Sequence, residues 1–134
     1  MSKSALGFIL AGMLYLMAGI ILGVIMVIAP DKTRLVTVHT HLNLVGFVIF
    51  SIFGVGYHIL PRFRGRPLYS EGLAWQQFWV ANVGLMGFLV TTGLSRYVST
   101  DLRIVEAAFG ALLALSISMF VYNMARTLVP PIKE

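Results

Sequence analysis

The stretch "VTVHTHLNLVGFVIFSIFGVGYHIL", Val36–Leu60, decides the fold. It is apolar for the length a helix needs to cross a bilayer, about 20 residues rising about 1.5 Å each. Yet it carries His39, His41, His58 and Asn43. Ionisable side chains inside a membrane span are costly and tend to mark function. What these can do depends on where the span puts them.

Composition settles the solvent. Of 134 residues, 58% are hydrophobic and 11% charged, with mean hydropathy +0.88. Soluble domains carry about 25% charged residues, so this chain cannot cover itself with a polar surface. It reads as an all-α integral membrane protein. With no cysteine, a disulfide framework, a thiolate metal site and an iron–sulfur cluster are all excluded. The net charge of +5 sits between apolar runs, which points to anionic lipid headgroups and not to nucleic acid.

Working outward from Val36–Leu60, four segments qualify as spans of one domain, 1–134: residues 5–29, 35–60, 72–94 and 102–128. The stops are "PDKTR", "PRFRGRP" and "VPPIKE". The first run is too long for a signal-peptide core and no small-x-small cleavage site follows, so a retained span is expected. Lys and Arg in the short loops set orientation. Lys3, Arg62, Arg64, Arg66, Arg126 and Lys133 share one side. Lys32, Arg34, Arg96 and Arg103 share the other, diluted by Asp31, Asp101 and Glu106. Both termini are therefore expected in the cytoplasm, and the His39 end outside. Tyr69, Trp75, Trp79 and Tyr97 fit interfacial belts.

Helical rise separates His39 from His58 by roughly 28 Å, so the two cannot share one metal within a chain. At 100° per residue, one stripe of the second span holds His39, Asn43, Gly46, Phe50, Phe53 and Tyr57. The opposite stripe holds His41, Val45, Val48, Ile52, Val55 and Ile59, a lipid-facing set. His39 is thus expected inward, with Gly46 allowing something flat against the backbone, as beside a porphyrin whose iron takes an axial histidine. The plainer alternative stays open for each: an interfacial imidazole, and glycines that serve helix packing.

These residues resemble a known family. "HTHLNLVGFVIFSIFGVGYHILPRF" resembles the second transmembrane helix of the haem–copper oxidase superfamily, especially nitric oxide reductases and small subunit-I-like proteins. Tyr57, His58, Leu60 and Pro61 match that helix's ending. "FWVANVGLMGF" in the third span is similar to the helix that follows, and the cytoplasmic N-terminus agrees. The likeness covers roughly residues 34–90. It implies that a histidine here, His39 or His41, is an axial ligand to a low-spin haem b. Spacing from Leu60–Pro61 does not choose between them, whereas the helix face prefers His39. The family has about twelve spans and further metal-binding histidines in its later helices. This chain has four spans and three histidines in all, so a stand-alone oxygen reductase is not expected.

A six-coordinate haem needs a second axial ligand. Met26 is the same-chain candidate, and its plainer reading is a packing residue. The other source is a histidine from a second copy in a homo-oligomer, which would also explain His41 on an aliphatic face. A five-coordinate haem open to nitric oxide is a further option. Arg34, Arg96 and Arg103 are candidates for the propionates. Glu106 is expected to pair with Arg103, and Asn82 and Asn123 to donate hydrogen bonds between helices.

The leading expectation is a haem b-binding membrane protein of a bacterial or archaeal inner membrane, serving electron transfer, haem handling or nitric oxide binding. The alternatives are a cofactor-free accessory subunit of a respiratory complex and, last, a copper-binding protein. For copper, His39, His41 and His58 would be the ligands, with scattered methionines as soft donors. No nucleophile–base–acid set can be assembled, so a hydrolase is excluded.

Overall fold

The computed structural model describes residues 1–29, 31 and 35–129. Lys32, Arg34 and Lys133 lie outside the described residues. Four helices follow in order: α1 Lys3–Ile28, α2 Val36–Phe63, α3 Glu71–Ser95 and α4 Arg103–Leu128. Each is 25 or more residues long, enough for the roughly 30 Å of bilayer hydrocarbon. The chain is an all-α, membrane-spanning four-helix bundle.

Local chemistry explains several helix ends. The hydroxyl oxygens of Ser2 and Ser70 accept hydrogen bonds from the amides of Ala5 (3.2 Å) and Leu73 (3.1 Å), capping α1 and α3. α2 does not stop at the proline, as the sequence suggested. Pro61 is buried inside the last turn, and the helix runs on to Phe63. A proline removes a single amide donor, which the final turn tolerates. The stop comes from Gly65, whose φ of +64° is the left-handed conformation favoured by glycine. The Arg66 and Gly65 amides turn back to the carbonyls of Pro61 and Arg62, both at 3.0 Å, closing the helix in a Schellman turn.

α1 packs along α2, and α4 packs along α3. Lipid is as apolar as leucine, so such seams rest on close packing and hydrogen bonds more than on hydrophobic burial. Glycines supply the close approach. A Cβ on Gly46 of α2 would lie 2.6 Å from the Tyr15 Cβ of α1, and one on Gly84 of α3 would lie 3.0 Å from the Leu113 amide of α4. Nearer the chain termini, Phe8, Phe50, Phe53 and Tyr57 join Phe78 and Phe120 in an aromatic core. Phe8 meets Phe50 and Phe78 edge-on, with ring centroids 5.2 Å apart in both pairs.

Within α2 the residues Leu42–Ile49 form a π-helical segment directly after His39 and His41. Its wider turn shifts which side chains face inward. Gly46, Phe50, Phe53 and Tyr57 are buried, as the 100° stripe expects. Val48, Ile52 and Val55 are exposed. Val45 departs from the expected lipid face and packs, with Ile49, against the core.

Candidate histidine site between the first two spans

His39 leaves the first turns of α2 and enters a notch on α1. The notch exists because α1 carries glycine at positions 19 and 23. A Cβ on Gly23 would lie 2.9 Å from the His39 Cε1, and one on Gly19 would lie 2.7 Å from the Asn43 amide nitrogen. The imidazole Nδ1 sits 2.9 Å from the Gly19 carbonyl oxygen. That carbonyl can only accept, so Nδ1 carries the proton and donates it.

Asn43 has a different partner. Its side-chain nitrogen donates to the His39 carbonyl at 2.8 Å, within α2. The same nitrogen is 3.4 Å from Nδ1, but both atoms there are donors, so this contact is not a hydrogen bond. In its neutral form the His39 ring is therefore held in the Nδ1–H tautomer, with the lone pair on Nε2.

His41 is not on a lipid-facing stripe. Its ring is half-buried against Phe88 of α3, centroids 4.7 Å apart, and its Nδ1 donates to the Thr37 carbonyl of its own helix at 2.9 Å. The wide turn that follows and the nearness of α3 explain the difference. His58 is half-buried near the opposite end of α2 and is not part of this group. Among the described residues, no set of three or more His, Cys, Asp or Glu gathers as a metal cluster would require.

The space above Gly46, expected to admit a flat ligand, is filled by Tyr15. Tyr15 also reaches across to α3, donating its hydroxyl hydrogen to the Asn82 side-chain oxygen at 2.9 Å. Asn82 is thus an interhelical acceptor and gives its own N–H to the Phe78 carbonyl. A cavity of about 550 Å³ opens beside this pair between α1, α2 and α3, with Ala18, Val38, Leu42 and Leu89 in its wall. Neither His39 nor His41 lines it.

Met26 follows Gly23 by three residues on the same face of α1 and is half-buried. Arg96 and Arg103 border a polar pocket at the α3–α4 loop, which neither His39 nor its notch lines. The expected Arg103–Glu106 pair is not the one formed. Arg103 instead grips Asp101, 2.7 Å between charged atoms, because Asp101 also accepts from the Arg103 amide at the helix start. Arg34 is outside the described residues. Asn123 does link helices: it donates to the Ser70 carbonyl at 2.8 Å and accepts from the Ser70 amide at 3.1 Å.

Reading the second span alone missed Gly19, Gly23 and Tyr15. The legible signal was "GIILG", Gly19–Gly23, a small-xxx-small spacing that marks close helix contact in membranes.

Comparison with known proteins bears on this arrangement. The family model for cytochrome c and quinol oxidase polypeptide I matches residues 3–134. A curated relative, cytochrome c oxidase subunit 1 of Corynebacterium diphtheriae, is 31% identical over 72% of this chain. The chain spans 20% of that relative's length. Four apolar spans and a bacterial relative of this kind make it a multi-pass protein of the inner membrane. Over nearly its whole length, the chain belongs to the cytochrome c and quinol oxidase polypeptide I family.

Proposed function

We propose that this is a small membrane protein that binds haem b through His39, serving electron transfer, haem handling or nitric oxide binding. The observation that carries the reading is the His39 ring itself. Its Nδ1–H is spent on the Gly19 carbonyl, which leaves Nε2 as the bare donor that haem iron takes from histidine. That hydrogen bond is the kind of outer partner that fixes a ligand's tautomer and raises its basicity. Met26, or a histidine from a second copy, would supply a second ligand to such a haem. Arg34, Arg96 and Arg103 are the candidates for the propionates, and the histidine end is taken to face away from the cytoplasm. Bound haem would supply one-electron redox chemistry or a site for a diatomic ligand. The chain's own part is to hold, orient and desolvate it.

A second reading has its own observation. Tyr15 fills the Gly46 notch, and the His39 ring is seated in α1 as a packing element would be. This favours a cofactor-free subunit that braces a larger respiratory complex. Copper is the lesser metal alternative.

The test is a visible spectrum of protein purified in mild detergent from haem-sufficient cells, oxidised and then reduced with dithionite. Sharp reduced α and β bands are expected, lost or shifted in His39→Ala and kept in His58→Ala. Folded, colourless protein would sink the haem reading and favour the bracing role. Copper found by metal analysis in such a preparation would favour the metal alternative.

A further inference from the structure

We infer that the Gly19–Gly23 notch of α1 is a positioning device for His39, presenting Nε2 as a bare donor before any ligand arrives. The inference deepens the haem reading and rests on it for its purpose, but its geometry stands alone.

Two observations on different atoms converge, and a third contact is weaker than either. The Gly19 carbonyl, 2.9 Å from Nδ1, has two lone pairs and can serve both its own helix and the imidazole. Gly23 leaves room for Cε1, the carbon between the two ring nitrogens, where a side chain would stand 2.9 Å away. Asn43 gives one N–H to the His39 carbonyl at 2.8 Å, and its nitrogen lies 3.4 Å from Nδ1, a longer contact than the 2.9 Å to the Gly19 carbonyl, which can only accept. A histidine free in solution samples both tautomers. Here α1 selects one, and Gly19 and Gly23 act as positioning residues through His39 without being ligands themselves.

Gly23→Ala separates this role from a structural one. The atom that must give way is the end of a rotatable side chain, not backbone. The helices can stay in place while the ring swings off the Gly19 carbonyl. Gly110→Ala on α4, where nothing lies within 4 Å, is the control.

The first measurement uses apo-protein from haem-deficient cells with ¹⁵N-labelled histidine imidazoles, at about pH 8.5, roughly two units above the ordinary histidine value. His39→Ala assigns the signal. Wild type should show Nδ1 protonated and Nε2 bare, while Gly23→Ala should show a tautomer mixture or the Nε2–H form. Nε2–H in the wild type would overturn the inference, and this reading needs no glycine variant to fold.

The second measurement is haem transfer to apomyoglobin. Gly23→Ala should release haem roughly 10–100-fold faster, the usual scale for losing an outer partner, with Gly110→Ala unchanged. Equal release from Gly23→Ala and wild type would overturn the positioning role. Wild type that binds no haem yet holds the bare-Nε2 tautomer would defeat the haem proposal and uphold the notch.

Discussion

The α1–α2 and α3–α4 seams use the same device for different ends. Both bring helices together at glycines. On α3, Gly84 and Gly87 receive Leu113 and the Phe109 ring of α4, apolar knobs with no hydrogen-bonding demand. On α1, Gly19 and Gly23 receive Asn43 and His39 of α2, polar side chains whose donors must be placed. The α3–α4 pair meets its polar demand elsewhere, through Asn123 and the Ser70 backbone near the end of α4. At these glycines close packing is the common requirement, and the α1–α2 contacts add polar donors to it where the α3–α4 contacts do not.

Gly46→Ala should break this comparison most strongly. The added Cβ meets Tyr15 at its Cβ and Cγ, 2.6 and 2.7 Å away, atoms too near the backbone to step aside. A loss of about 1–3 kcal/mol is expected from such overpacking, read as a lower midpoint in denaturing-detergent titration. Gly87→Ala should cost less, because the half-exposed Phe109 ring can turn toward lipid. Equal losses would mean that both seams are equally rigid and would remove the contrast.

Asn123→Ala tests the α3–α4 pair where it is pinned by hydrogen bonds instead. It leaves the Ser70 amide and carbonyl without their side-chain partner, for an expected loss of about 1–2 kcal/mol. The histidine tautomer at the far end should not change, and a change would show the two seams to be coupled. Tyr15→Phe removes the strut between the pairs, the hydroxyl on Asn82. About 0.6 kcal/mol is the expected cost, the average for such bonds inside membranes, and a thermal shift in detergent would record it.

Asp101→Asn should do least. The Arg103 side chain, followed by its amide, holds this loop carboxyl below the ordinary range. Its small contribution is therefore present above the ordinary value of about 3.9 and is lost as pH falls through the lowered one. Because both groups are exposed, solvent screening leaves little to lose. Indistinguishable midpoints at neutral pH are expected, and a clear drop would give that loop a structural weight it lacks here.

The spans were legible to within a turn or so because hydropathy belongs to each residue singly and simply adds along a segment. Phe50, Phe53 and Tyr57 were legible as core because an ideal helical period carries them inward once the π-helical segment has ended. His41 was misplaced for the same reason in reverse: the ideal period knows nothing of the wide turn at Leu42–Ile49 or of Phe88 waiting on α3. Arg103 was assigned to Glu106 by spacing, while the loop geometry gave it to Asp101.

By itself, then, the sequence determined that this is a four-span membrane protein whose second helix carries histidines at one end. It also carried the family likeness, since both are written in local composition and motif. Only the tertiary structure decided which atoms those histidines have left to offer. That choice belongs to pairs of helices, to their rotation and relative height, and no residue of α2 encodes the glycine carbonyl that α1 sets beside His39.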